Sequence, residues 1–445
     1  MLIAQHLRQT RAYLSGEGLG PFLIKSVAGS AAVRVSAMAA SFFVGVQLAH
    51  MLGVSGYGYY GLALSIVTIA SIPGELGISR LVTREVAASA AAADAAELFG
   101  VLRWGTRLAT KLSLAAMLAV GAAALIIVRT RPILGACLLA AAPTIPFMTL
   151  ARVNGGALQG LHHIVRGQIP ANLIRPLLLS VALLAAHFSG VAVGPVGAMA
   201  LSSMAAAIVF ICALIWLRDR LPPPAPPRPP MGRKWITASV AMALNQGLLT
   251  LQSELSILLI GLIATPAAIG RFRIATASAN VAAAAVMLVL HVGSPVIARL
   301  YAAGDLERLQ KSVTAFARLQ VAGVALLCAP LLIAPELLIR LVFGPSFVPA
   351  AQALRILAAG QILNGFFGLN GTVLTMCGLE RRVTRAMGVA LMVNIVLVPF
   401  FLLAVGIAGA AAAMVLSTLT WNLIAWRDSR RLLGIETAAL PFRGR

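Results

Sequence analysis

The chain has 445 residues, of which 60% are hydrophobic and only 11% charged, and its mean hydropathy is +0.93. So little polar side chain cannot cover a water-soluble protein of this size, so most of the exterior faces lipid. A formal charge of +22 would elsewhere suggest nucleic acid, but here Lys and Arg collect in short segments between apolar runs, the pattern of cytoplasmic loops, so no nucleic-acid partner is expected.

Met1 to Gly20 is a polar, basic tail with the character of an interfacial helix. Twelve apolar runs of spanning length follow, at about 22–51, 58–80, 107–128, 132–151, 168–188, 195–217, 236–263, 272–297, 318–342, 350–376, 383–403 and 405–427. The first begins near Phe22 and is too long for the apolar core of a cleavable signal, so it is expected to stay as a signal anchor. The third and fourth runs are joined by a tight turn at Arg129 to Pro132.

Between the sixth and seventh runs lies LRDRLPPPAPPRPPMGRK, Leu217 to Lys234. Seven prolines this close together favour an extended spacer over helix, and a stiff linker suits them better than a recognition tract. The fold expected is an all-α polytopic membrane protein of about twelve transmembrane helices in two six-helix lobes. The N-terminal lobe takes residues 1–217, the linker 218–235, the C-terminal lobe 236–427 and a cytoplasmic tail 428–445.

With the amino terminus in the cytoplasm, the charges sort by side. Cytoplasmic segments hold three basic residues in the tail through Lys25, five from Arg80 to Lys111, two at Arg152 and Arg166, and five from Arg218 to Lys234. Four more run from Arg299 to Arg318, three from Arg381 to Arg385, and five follow Trp426, making 27 of the 35 Lys and Arg. Both termini are therefore expected on the cytoplasmic side.

The stretch that organises the chain is LGVSGYGYYGLALSIVTIASIPGELGISRLVTRE, Leu52 to Glu85. Its tyrosines suit a membrane interface, and a helix puts Gly61, Ser65, Thr68, Ile72, Glu75 and Ser79 on one face too polar for lipid. A weaker echo, IATPAAIGRFRIA, stands at Ile263 to Ala275, after the first run of the second half. Two parallel halves place a substrate site where they meet.

Ionisable groups inside spans are costly and by default face a cavity or a partner. Arg34 lies about twelve residues from either end of the first run, on a face with Ser26, Ser30, Ala37, Ser41 and Gly45. It either lines a cavity or caps the carbonyls of a neighbouring helix. Gln246, Thr250, Ser253 and Glu254 form a second polar stripe in the seventh run, and Gln361, Asn364, Gly368, Gly371 and Thr375 a third in the tenth. The third stripe serves substrate contact or helix packing equally well. Arg271 and Arg273 open the eighth run, either pointing into the cavity or solvated. Glu75 and Glu254 are the candidates for carrying a coupling ion. Cys137, Cys212, Cys328 and Cys377 show no CxxC pair, and His162 and His163 match no metal-ligand spacing, so neither disulfide nor metal is expected. Soluble-type catalytic, Walker and dinucleotide motifs are absent, so no catalytic residue and no cofactor is expected.

With these residues in hand, the chain resembles the oligosaccharide flippases of the polysaccharide-biosynthesis, O-antigen type, in the superfamily shared with multidrug-and-toxin exporters and lipid II flippases. The resemblance is carried by LGVSGYGYYGLALS with GELGISRLVTRE, by ALQGLHHIVRGQIPANLIRPLLLS, and by the GRFRIA turn. LIRLVFGPSFVPAAQALRILAAGQILNG and NIVLVPFFLLAVGIAGAAAAMVLS complete it. It implies a V-shaped pair of six-helix lobes in the bacterial inner membrane around a cationic cavity. That cavity would take the diphosphate and sugar of a polyprenyl-diphosphate-linked oligosaccharide while the tail stays among membrane lipid, with a polysaccharide polymerase as a candidate partner. Lipid II flippases place arginines in the first, second and eighth spans, where Arg34, Arg80 and either Arg271 or Arg273 stand here. Gln246, Glu254, Gln361 and Asn364 complete the candidate substrate contacts. An ion-coupled drug or metabolite exporter is the alternative, and would want more acid than Glu75 and Glu254 provide. A membrane polymerase or lipid-dependent glycosyltransferase would want a sizeable outer loop, and the outer loops here are short.

Overall fold

A computed structural model of the chain describes residues 19–75, 77–223, 225–226 and 232–440, helical almost throughout and with no β-strand among them. The tail through Arg11 and most of the proline tract lie outside the described residues.

Leu19–Glu75 is helical except at Gly53, whose φ of 64° and ψ of −178° fold it into two arms, α1 (19–52) and α2 (54–75). Glycine adopts that conformation readily, where a side chain would be strained. The first half continues with α3 Ile78–Ala91, α4 Ala95–Ile127, α5 Pro132–Ala141, α6 Thr144–Gly160 and α7 Ile164–Ile169. A π-turn at Pro170–Ile174 leads into α8 Arg175–Phe188, and α9 Pro195–Arg218 closes the half.

The second half opens with α10 Gly232–Ile263, α11 Pro266–Ala279 and a 3₁₀ turn at Asn280–Ala282, then α12 Ala283–Ala302, α13 Leu306–Ile333 and α14 Pro335–Phe343. A further 3₁₀ turn at Pro345–Ala350 precedes α15 Ala351–Phe366, α16 Asn370–Met376, α17 Glu380–Val405 and α18 Ile407–Leu433. Local chemistry sets these ends. Prolines occupy the first turn of α5, α9, α11 and α14, and the Asp94 and Asp305 side chains accept the backbone N–H of Glu97 and Arg308.

Among the described residues, eleven helical segments are long and apolar enough to cross a bilayer. The first, Gly29–Ala91, has 63 residues. As one rod it would measure about 95 Å, three times a hydrocarbon core, and the reversal at Gly53 makes it two spans and the total twelve. Leu118, Ile126, Leu326 and Leu403 are two-thirds or more exposed, the sign of a surface solvated by lipid. The chain is a multi-pass, all-helical membrane protein.

Several spans differ from their hydropathy outlines. The second breaks at Gly77 (φ 65°), the tenth at Gly368 (φ 64°), and the apolar run 318–342 is two helices separated at Ala334. Other helices outrun their apolar stretches: α4 starts at Ala95, α6 reaches Gly160 and α18 reaches Leu433. Hydropathy marks where side chains stop preferring lipid, which is not where backbone hydrogen bonding stops. The residues after α18 pack back on their lobe, with Ile435, Thr437 and Ala438 buried and the Ala439 N–H donating to Phe366 O at 2.9 Å.

At the Gly53 end the two halves are sealed together. The largest apolar cluster joins Tyr57, Tyr60 and Ala63 of α2 to Ile269 and Phe272 of α11 and to Phe343 and Phe347. Tyr57 stacks on Tyr60 and meets Phe347 edge-on. At the centre of this seam α2 and α11 touch through glycines. A Cβ built on Gly58 would stand 1.8 Å from Pro266 O, and one on Gly270 would stand 2.2 Å from Val54 O. The two motifs that echo each other in sequence meet across the seam, Gly58 against Pro266 and Gly270 against Val54.

Candidate functional site

Toward the other end, where the basic segments lie, the halves enclose a cavity of about 350 Å³. One wall comes from α2, α3, α6, α7 and the π-turn, the other from α10. Its charged and amide groups are Glu75, Arg80, Arg152, Gln159, Gln168, Asn172 and Gln246, with Thr68, Ser71, Ser79 and Thr250 supplying hydroxyls.

Arg80 and Gln246 join the halves here: the Arg80 guanidinium donates from Nη2 to Gln246 Oε1 at 2.6 Å. Arg152 donates from Nη1 to Glu75 Oε1, tying α6 to α2. That pair stays open to the cavity, with side-chain exposures of 44% and 21%. Gln168 accepts a hydrogen bond of 2.8 Å from Ser30 of α1. Close helix approach makes the wall compact: Gly155 and Gly167 leave no room for a Cβ against each other's carbonyls, and Gly156 none against Ser79 O.

Arg34 stands one turn beyond Ser30 on α1, about 6 Å further along the axis. Its side chain is exposed, and among the described residues Nη1 finds only the thioether of Met287 on α12, at 3.6 Å. The bond crosses between halves. A guanidinium at this depth with so weak an acceptor has not been placed to cap a helix.

Above the cavity a third cross-link is half-buried. Ser65, fully buried, donates to Glu254 Oε2 at 2.6 Å and accepts from Arg273 Nη1 at 3.2 Å. Arg273 also donates to Gly61 O at 3.1 Å. Glu254 and Arg273 thus meet through one hydroxyl at the interface and outside the cavity lining. Arg271 is not part of this group; its Nε is buried without a hydrogen-bond partner among the described residues.

The polar stripe of α15 faces elsewhere. Asn422 donates to Asn364 Oδ1 at 2.8 Å and accepts from Asn370 at 2.9 Å, an amide chain internal to the C-terminal lobe. Neither Asn364 nor Gln361 lines the cavity. Of the candidate residues, Arg80, Gln246 and Glu75 come together around it, Arg34 stands one turn beyond the Ser30 that bonds its Gln168, and Glu254 with Arg273 lies on the interface between the halves. Sequence reasoning missed Arg152, Gln159, Gln168 and Asn172. The apolar run stops at Ala151 and so puts Arg152 in a loop, yet α6 continues for two turns beyond it. Gln168 and Asn172 flank Pro170 in RGQIPANLIRP, where the helix widens to a π-turn, a feature that often marks working sites. The four cysteines are free, and no cluster of three metal-ligating side chains occurs among the described residues.

A family model described as polysaccharide biosynthesis protein matches residues 47–352. No curated protein is detectably similar in sequence. The fold is that of solved transporters. An inward-facing multidrug-resistance MATE transporter of the MOP superfamily superposes with a TM-score of 0.78 at 14% identity, over 91% of this chain and 98% of that one. The lipid II flippase MurJ in an inward closed conformation gives 0.68 at 11% identity, over 88% and 86%. A MOP-superfamily transporter from Pyrococcus furiosus, described as having a binding pocket of reversed polarity, gives 0.65 at 12% identity, over 92% and 96%.

Proposed function

The chain belongs to the polysaccharide biosynthesis protein family, and on that footing we propose that it is a flippase carrying a polyprenyl-diphosphate-linked oligosaccharide across the bacterial cytoplasmic membrane by alternating access. The observation that carries the reading is the interlobe cavity with Arg80 and Arg152 on its wall.

Moving a diphosphate through a low-dielectric slab requires groups that replace its water. Guanidinium forks do so with paired, charge-assisted hydrogen bonds. The Arg80 fork is turned to an amide, Gln246, and Arg152 to Glu75. Both partners are exchangeable for phosphate oxygens. Gln168, Asn172 and the hydroxyls of Thr68, Ser71 and Thr250 offer donors and acceptors to sugar. Closing the cavity to the basic end and parting the Gly58–Gly270 seam would present the same groups to the other side. Both termini are cytoplasmic in this reading, which the placement of basic segments supports. The protein performs no covalent chemistry, and a polysaccharide polymerase is a candidate consumer of its product.

The test is export of the lipid-linked sugar in a deletion strain, normalised to membrane-inserted protein. An Arg80→Ala/Arg152→Ala variant should lose most export. Full export by a well-inserted double variant would overturn the cavity as the diphosphate site.

A further inference from the structure

Away from the interlobe cavity, the start of α17 and the end of α18 lie side by side and enclose a groove of about 500 Å³. Four arginines line it, Arg382 and Arg385 from α17 and Arg427 and Arg431 from α18. The spacings i, i+3 and i, i+4 bring each pair onto one helix face. Asp428 is the single acid in the lining; it is 8% exposed and lies 3.6 Å from Arg385. Among the described residues, the guanidiniums of Arg382, Arg427 and Arg431 have neither a carboxylate nor a hydrogen-bond acceptor. Ile424 and Leu432 complete the wall, and Leu432 is 47% exposed.

We propose that this groove binds the phosphate of an anionic phospholipid headgroup. Four like charges turned into one recess repel one another unless an anion joins them, and only one is compensated from within. A topogenic role asks for charge on one side of the membrane, not for convergence on a shared groove. The helix ends place the recess at the basic face of the bilayer, where phosphodiesters are the abundant anions. The apolar wall of Ile424 and Leu432 suits the glycerol and upper acyl region of a lipid, and a free ion has no use for it. Basic pockets between transmembrane helices at this level hold anionic headgroups in general. None of the lining is shared with the interlobe cavity.

The experiment counts lipids bound to the detergent-purified full chain by native mass spectrometry. The wild type is titrated with phosphatidylglycerol, phosphatidylcholine and polyprenyl phosphate, and with millimolar inorganic phosphate as competitor. The wild type should hold one phosphatidylglycerol about tenfold more tightly than phosphatidylcholine, and Arg382→Gln/Arg427→Gln/Arg431→Gln should erase that preference. Should the Gln variant fail to insert, the triple Lys variant decides, because it keeps the charge but loses the fork and should bind severalfold more weakly. Unchanged preference in the variants overturns the proposal. So does displacement of the lipid by inorganic phosphate, which would make the site one for a free anion, or preference for polyprenyl phosphate, which would make it a site for the transported lipid.

Discussion

The seam at Gly58 and Gly270 lets one methyl group test alternating access. Gly58→Ala places a Cβ 1.8 Å from Pro266 O, and Cβ atoms essentially never approach another heavy atom within 3.0 Å, so α2 and α11 must part by about 1.2 Å. The clash is with backbone, which cannot rotate away. Overpacking of this kind costs about 1–3 kcal/mol, and here the cost falls only on the state in which the seam is closed. A population shift follows from that difference alone, roughly 5- to 150-fold in favour of a parted seam. Gly270→Ala, with its Cβ 2.2 Å from Val54 O, should act in the same direction. Gly121→Ala meets nothing within 4 Å and is the control.

Spin labels at Ser55 and Leu262, both exposed and next to the seam, report the separation by pulsed electron resonance. The wild type should give one short distance, the two seam variants a second, longer component, and Gly121→Ala the wild-type trace. A wild-type distribution in well-inserted Gly58→Ala would refute the claim that these glycines hold the seam shut.

Arg34→Ala, normalised for insertion, should lose export at least as severely as Arg34→Lys, because Lys keeps the charge without the fork; normal export by Arg34→Ala would remove it from the substrate path. Glu254→Gln retains an acceptor for Ser65 while losing the charge, so it should insert normally and transport without regard to the ion gradient. Gradient dependence equal to wild type would exclude Glu254 as the coupling site. Reporter fusions at Arg233 and after Arg431 should read cytoplasmic and one near Ser189 external, and an external carboxy terminus would reverse the orientation.

The number of spans was legible because lipid imposes a long apolar run on each crossing, and the echo of LGVSGYGYYGLA at IATPAAIGRFRIA marked two stretches that the structure brings into contact. The breaks were not. Gly77, Gly368 and the π-turn after Pro170 interrupt helices inside apolar sequence, where hydropathy has nothing to report. The same blindness hid Arg152, which sits in a helix after the hydropathy has fallen. The stripe Gly61, Ser65, Thr68, Ile72, Glu75 on α2 was readable from helical spacing and does face the other half. The stripe that begins on α15 has a similar helical spacing, yet it packs within the second half through Asn364, Asn370 and Asn422. Periodicity says which residues share a face; it does not say whether that face meets a cavity or a neighbour.

Arg152 and Glu75 allow substrate binding to be separated from clamping. If the pair merely holds α6 against α2, Glu75→Gln weakens the clamp and leaves ligand affinity unchanged or lower. If Arg152 serves the diphosphate, Glu75 is its competitor in the empty cavity, and it also stands close to the incoming negative charge. Two unit charges about 4 Å apart repel by about 1 kcal/mol in water and about 4 kcal/mol at an effective dielectric of 20. The pair is partly open to the cavity, 44% and 21% exposed, so the lower figure applies. Glu75→Gln should therefore tighten polyprenyl diphosphate binding to the purified full chain roughly fivefold, while Arg152→Gln loosens it. Export need not rise with affinity, because a substrate held more tightly is released more slowly. Affinity that falls or stays level in Glu75→Gln would assign the pair to the clamp and leave Arg80 and Arg34 to meet the phosphate.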